Sequence, residues 1–408
     1  MITIIGSGAG GGILAMELAL ANIPVTIIEK GPFIHTKDAL KYYDESDESI
    51  DLLKTTCVGG TTTVSAGNGV RVLEEELNDF DISISEELDT IEKLLKVNEM
   101  DDNHFGEGTK KFMEVAKKLN LNPVKMPKFI DDDKCVPCGN CAFGCPQDAK
   151  WTSIDFIKIA IENGASLLDN TEVVDIAVED NKVNGVFVNN PKNHEGKKKF
   201  IKSDLVVLSS GAIGSASLLQ KLGIKAGEKL FMDSFVTIGG LLKDIGFNKE
   251  VQMNALIKGK NFILAPHYSQ FVANELKKIP ANDSDILSIM VKIPDDSFGY
   301  VENGKAVKIN SIKDFKFIAE GSAVAGSILV ESGVDPNTII STNLRGAHPG
   351  GTAAIGEVVD KNLQTNIEGL FVCDASVLPV APGAPPILTI LALSRRLSKY
   401  LIANYSSQ

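Results

Sequence analysis

The stretch ITIIGSGAGGGILAMELALANIPVTIIE, residues 2–29, decides the fold. It reads as strand, tight turn, helix and second strand. MITII is apolar, ILAMELALA carries apolar residues at helical spacing, and VTIIE is a second apolar run ending at Glu29. Between strand and helix, Gly6, Gly8 and Gly11 spell G-x-G-x-x-G. Gly6 permits the turn, Gly8 lets a pyrophosphate approach the backbone at the helix N-terminus, and Gly11 lets helix and strand pack closely. Glu29 is placed to accept hydrogen bonds from a ribose 2′-hydroxyl. Glycines alone are a weak signal; with both strands and the acid they mark a dinucleotide-binding unit, without separating FAD from NAD.

Outward from this unit, the 408 residues suffice for two or three structural units around buried cores. A formal net charge of -12 argues against nucleic acid or an anionic membrane as partner, because both want a basic face. The apolar run near Leu388 to Leu393 is too short to span a bilayer, and no secretory leader precedes the first strand. Six cysteines in so long a chain are no disulfide framework, so a reducing, cytoplasmic setting is expected.

CVGGTTTVSAGNGVR, residues 57–71, is a glycine- and threonine-rich loop suited to lie against a ligand with its amides outward. Residues 84–98 and 107–119 read as amphipathic, peripheral helices, and 153–163 as another. TEVVDIAVEDNKVNGVFV reads as strand, turn and strand, HEGKKKF (194–200) as a solvated hairpin tip, and DLVVLSSGAIGSASLLQKLG as a strand, a turn at Gly211 and a helix. Residues 225–340 alternate strands and short turns. GLFVCDASVLP is a strand running into Asp374, and PPILTILALSRRLSKYL is a helix with Pro386 near its first turn.

CVPCGNCAFGCP, residues 135–146, holds Cys135, Cys138, Cys141 and Cys145 in the spacing C-x2-C-x2-C-x3-C-P of bacterial ferredoxins. Structural zinc normally pairs two hooks across a longer loop, so the packing of all four into eleven residues points to a [4Fe-4S] cluster. In two-cluster ferredoxins the fourth cysteine serves the other cluster. This chain has no second run, so Cys145 is the expected fourth ligand. Cys57 and Cys373 fit better as small buried hydrophobes.

Taken in order, GSGAGGG at the start, VGGTTT in the sixties, SSGAIGSASLL, AHPGGTAAIG and GLFVCDASVLPVAPGAPPILTILALSRR resemble the glucose-methanol-choline (GMC) oxidoreductases. The resemblance implies an α/β fold with an α+β second domain: a Rossmann-like FAD-binding domain assembled from discontinuous segments, a smaller sheet-based substrate domain and an iron-sulfur loop insertion. The expected division is residues 1–75, 152–224 and 341–408 for FAD, 76–130 for peripheral helices, 131–151 for the cluster loop and 225–340 for substrate. The resemblance further implies that Gly6, Gly8, Gly11 and Glu29 hold the ADP half, that Gly59, Gly60 and Thr61 follow the pyrophosphate and flavin, and that Asn68 lies close to the ring. Val173 is expected near the adenine, Asp374 near the ribityl or pyrophosphate, and the helix from Ile387 at the flavin pyrimidine. His348, in H-P-G-G-T, matches the family histidine that takes or steers the hydroxyl proton.

One departure stands out. The family's second histidine or asparagine precedes a proline, and here that place is taken by Pro385, which has no side-chain hydrogen bond to give. Asn343 is the preferred substitute, with Arg345, His267 and Tyr268 as further candidates. The expected activity is oxidation of a CH–OH group of an alcohol or polyol by hydride transfer to FAD. Electrons then leave singly through the cluster to a soluble carrier such as ferredoxin, an arrangement that suits an anaerobe. A reductase of a carbonyl or unsaturated intermediate, and an electron-transfer flavoprotein subunit, stay open at this point, as does a homo-oligomer.

Overall fold

The computed structural model describes residues 1–44, 51–189, 198–278 and 281–405. Residues 194–197 of the expected hairpin tip lie outside the described residues.

The opening stretch folds as its spacing predicts, into a strand Ile2–Ile5, a helix Ala9–Leu20 and a strand Val25–Ile28. Both strands are buried throughout, as expected of a parallel sheet covered on its faces. Five parallel strands line up in the order 370–372, 205–208, 2–5, 25–28 and 166–168. The first helix packs against the helices Ser153–Glu162 and Ile387–Tyr405, so three segments distant in sequence share one core. A three-stranded antiparallel sheet, formed by residues 172–179, 182–189 and 199–202, lies beside it.

The second unit is built on a mostly antiparallel sheet of eight strands, in which only Asp51–Leu52 pairs parallel, with Arg345–Gly346. Its centre pairs Phe235–Leu241 with Ile286–Lys292 over seven residues. This sheet is wider than the parallel one. It also recruits strands from outside the expected 225–340 segment, namely Asp51–Leu52, Pro123–Lys125 and Arg345–Gly346. Of the helices expected to be peripheral, Ser85–Leu95 packs on the C-terminal helix, and Glu107–Lys118 puts Phe112, Val115 and Ala116 into the core of the antiparallel sheet.

Two helices depart from the expectation of strands and short turns across 225–340, the short Gln270–Leu276 and a longer one. Ile312–Glu331 is a 20-residue helix. Ser311 and Asp314 form a capping box at its start, each satisfying an end-of-helix amide of the other. Its Gly321 lies so close to the sheet that a Cβ there would sit 2.4 Å from Val291.

Candidate functional site

At the turn after the first strand, the helix Ala9–Leu20 starts at Gly8 with no side-chain cap, which leaves its first amides available to an anion. A Cβ on Gly8 would meet nothing within 4 Å, whereas one on Gly11 would lie 2.1 Å from the Gly6 carbonyl oxygen. Gly8 therefore borders open space and Gly11 a packed contact. Glu29 is buried behind the turn, where its carboxylate accepts from the Ser7 hydroxyl at 2.6 Å and the Gly31 amide at 2.8 Å. Burial pushes this carboxyl up, and those bonds oppose the shift.

The Gly59–Thr61 loop closes over the same turn. Gly59 N–H donates to the Ser7 hydroxyl at 3.1 Å, and a Cβ on Gly60 would lie 3.2 Å from Gly8 Cα. Asp374, just past the strand 370–372, accepts from Gly211 N–H at 2.8 Å and from the Ser215 and Ser376 hydroxyls, which ties two segments together at the end of the sheet. Val173 is buried in the strand 172–179 at an irregularity in its pairing. The C-terminal helix begins at Ile387, as the sequence predicts.

His348 follows the short strand Arg345–Gly346 of the second sheet. Its backbone N–H donates to the Met232 carbonyl at 3.1 Å. Its Nδ1 is 2.8 Å from Asp233 Oδ2 and 3.5 Å from Lys292 Nζ. Nε2 is bonded to no described residue, and the side chain is 19% exposed. Asp233 itself is wholly buried and held with φ 47, a conformation unusual for a residue with a side chain. Asp295 anchors that backbone by accepting the amides of Met232 and Asp233 and the Ser234 hydroxyl, and it pairs with Lys308 at 3.0 Å. The other Asp233 oxygen accepts from Gly383 N–H at 2.8 Å. Burial pushes the Asp233 carboxyl up to about 7, with Lys292 opposing. Burial, then the Lys292 ammonium, holds the His348 imidazole well below its ordinary range and keeps it neutral.

Asp233 and Lys292 are absent from the sequence-predicted set. Neither belongs to a motif; Asp233 sits in the apolar run LFMDSF and Lys292 ends the strand ILSIMVK. The sequence candidates fall elsewhere. Asn343 is exposed. Arg345 is committed to Asp51 at 2.7 Å and stacks 3.8 Å from the centre of the Phe271 ring. His267 meets Thr237 Oγ1 at 3.5 Å, and burial pushes it down to about 4. Tyr268 is buried, with its backbone amide bonded to Gln252.

Cys135, Cys138, Cys141 and Cys145 line one pocket together with Ile130, Ala149 and Val251. The loop needs two glycines with left-handed backbone. Gly139 has φ 75 and Gly144 φ 105, and a Cβ on either would strike a carbonyl oxygen, at 2.0 Å from Asn248 and 2.1 Å from Thr36. Ala149 N–H donates to Cys145 Sγ at 3.3 Å. Burial, then the neighbouring thiols, pushes Cys135 up to about 12. Among the described residues no group of three or more His, Cys, Asp and Glu side chains is arranged to hold a single metal ion. Cys57 and Cys373 are buried in other parts of the protein, against Thr63 and Ser394.

Two buried lysines lie beside this loop. Lys150 Nζ donates to the carbonyls of Ser65 (2.6 Å), Thr63 (3.0 Å) and Cys141 (3.0 Å), and so bridges the Gly59–Ser65 loop and the cysteine loop. Lys128 Nζ donates to Asn68 Oδ1 and the Gln252 carbonyl, both at 2.6 Å. Asn68 is thus buried as an acceptor for a cation. Burial pushes Lys128 down to about 7 and Lys150 to about 8.

Fold and site together define an α/β protein with a parallel sheet of the dinucleotide-binding type and a second, mostly antiparallel sheet beside which a part-buried histidine sits. Family models described as GMC oxidoreductase match residues 9–253 and 313–394. The chain belongs to the GMC oxidoreductase family. It is 34% identical over 403 residues to the protein MJ1450 of Methanocaldococcus jannaschii, covering 98% of this chain and 99% of that one. It is 23% identical over 506 residues to the long-chain-alcohol oxidase FAO4B of Arabidopsis thaliana, covering 98% of this chain and 67% of that one. Among solved structures, the fold matches formate oxidase of Aspergillus oryzae with a TM-score of 0.78 at 14% identity, over 100% of this chain and 98% of that one. It matches pyridoxine 4-oxidase from Mesorbium loti with a TM-score of 0.74 at 15% identity, over 100% and 99%. No helix among the described residues is long and apolar enough to cross a membrane.

Proposed function

We propose that this chain is an FAD- and [4Fe-4S]-dependent dehydrogenase that oxidises a CH–OH group of an alcohol or polyol, or in reverse reduces the carbonyl. The observation that carries the reading is the Asp233–His348 pair, 2.8 Å apart, with Nε2 of the imidazole left unbonded. The open space at Gly8 and the uncapped helix behind it fit a pyrophosphate. Gly6, Gly8, Gly11 and Glu29 would hold the ADP half, Gly59, Gly60 and Thr61 the pyrophosphate and flavin, Asn68 the ring, Val173 the adenine, and Asp374 and Ile387 the remaining polar edges. Cys135, Cys138, Cys141 and Cys145 would hold the cluster, each on its own iron, so the four thiols need no single point of convergence. Bound there, FAD supplies a hydride acceptor, and the cluster supplies one-electron exchange with a soluble partner such as ferredoxin.

The chain's own residues handle the proton. Asp233 accepts the Nδ1–H of His348, which fixes the tautomer with an acceptor lone pair on Nε2. Nε2 then takes the substrate hydroxyl proton, and Lys292 behind the ring disfavours the imidazolium, so the proton is readily passed on. Asn343, exposed two residues before the strand Arg345–Gly346, is assigned as a substrate contact. In this proposal residues 1–75, 152–224 and 341–408 serve FAD, 76–130 flank it, 131–151 carry the cluster and 225–340 supply most of the substrate side.

Anaerobic mixing of the holoenzyme with a panel of alcohols, polyols and sugars tests the reading. Bleaching of the flavin absorption by at least one of them is expected. A flavin bleached only by reduced ferredoxin and reoxidised by a carbonyl or unsaturated metabolite would replace it with a reductase.

A further inference from the structure

Lys128 is 0% and Lys150 3% exposed, and neither has a carboxylate partner among the described residues. Their bonds go to neutral oxygens: backbone carbonyls throughout, and for Lys128 also the Asn68 amide. A buried ammonium without a counter-charge is strongly disfavoured, and carbonyl dipoles recover only part of its lost hydration. Two other buried cations among the described residues do have carboxylates, and a third, Lys292, lies 3.5 Å from His348 Nδ1, beside the Asp233 that the imidazole is bonded to. Lys308 has Asp295 at 3.0 Å, and Arg345 has Asp51 at 2.7 Å. Lys128 and Lys150, by contrast, contact only neutral oxygens, and both lie at the cysteine loop. Lys150 lines the pocket of the four thiols and is bonded to the Cys141 carbonyl. Lys128 is within electrostatic reach of Cys135 and Cys141.

A cubane on four thiolates has the missing charge. It is dianionic when oxidised and trianionic when reduced, so one added electron deepens its attraction to a fixed cation nearby. Resting on the cluster reading above, we infer that Lys150, with Lys128 behind it, is the built-in counter-charge of the cysteine-loop redox centre. Lys150 is a positioning residue with two effects. It clamps the cysteine loop to the Gly59–Ser65 loop through shared carbonyl contacts, and it raises the reduction potential of whatever anionic cluster the loop holds.

The test uses the anaerobically purified holoenzyme and its Lys150→Met and Lys150→Arg variants. Iron, acid-labile sulfide and FAD are counted per chain, and the cluster's potential is measured by a redox titration followed by electron paramagnetic resonance. The expected result is a loaded Lys150→Met protein whose one-electron reduction equilibrium falls about tenfold or more, a drop of about 59 mV, with Lys150→Arg close to wild type. Loss of iron in Lys150→Met but not in Lys150→Arg also supports a counter-charge. Full loading with an unmoved potential overturns the inference alone, and loss of iron in both variants overturns it in favour of a purely steric role. A wild-type protein with FAD and no iron overturns the cluster reading, and this inference with it.

Discussion

The glycine turn at residues 6–11 and the pocket around His348 both hold a polar centre in place, and they do so by opposite means. The turn works through the backbone of one short segment, with an uncapped helix start, one open glycine and one packed glycine. The His348 pocket works through side chains from separate segments. Asp233 precedes one strand of the antiparallel sheet, Lys292 ends another, His348 follows a third, and Gly383 donates from the approach to the last helix. A backbone device leaves a motif in the sequence; a side-chain device assembled across a fold leaves isolated residues. The cysteine loop falls between the two. Its thiols lie in one short segment, while its clamps, Lys150, Tyr43 and Thr36, come from either side of the Gly59–Ser65 loop in the chain.

Substitutions can break this contrast, and the largest effect belongs to the side-chain device. His348→Ala is expected to lower kcat/KM by about 10²–10⁴-fold with FAD content unchanged, read by steady-state kinetics and the flavin spectrum. Asp233→Asn follows, with a loss of about tenfold or more, because the amide no longer fixes the imidazole tautomer. It carries a pH signature. Asp233 must be ionised to accept the Nδ1–H, and its carboxyl is pushed up to about 7, so wild-type kcat/KM should rise with pH through that region. The ascending limb should vanish in Asp233→Asn; a limb left in place would assign the titration to another group.

The backbone device is expected to respond in stability and cofactor retention. Gly11→Ala drives a Cβ against the Gly6 carbonyl oxygen, and a loss of about 1–3 kcal/mol in thermal or denaturant unfolding should follow. Gly8→Ala meets no protein atom, so stability should stay within about 0.5 kcal/mol of wild type while FAD dissociates more readily. Equal effects of the two on unfolding would erase the distinction drawn between open and packed glycines.

This contrast also explains what was legible. The strand–turn–helix–strand start, the strand pair at 172–189, the strand and helix at 205–221 and the helix from Ile387 were readable, because each couples strong periodicity with turn chemistry. His348 was readable through its H-P-G-G-T neighbours, and its missing partner at Pro385 was readable as a gap. The partners of His348 on its Nδ1 side were not. Asp233 and Lys292 come together at His348 only when the second sheet forms. The helix Ile312–Glu331 was hidden by Gly321, which weakens a helical pattern yet is required where the helix touches Val291. The capping box of Ser311 and Asp314 was the signal that could have found it.

The central claim is that one polypeptide holds a flavin beside an iron-sulfur centre in the Cys135–Cys145 loop. Counting FAD, iron and acid-labile sulfide per chain in protein purified without oxygen tests it most directly. The expected result is about one FAD with about four irons and four sulfides. FAD at full occupancy with no iron would contradict it.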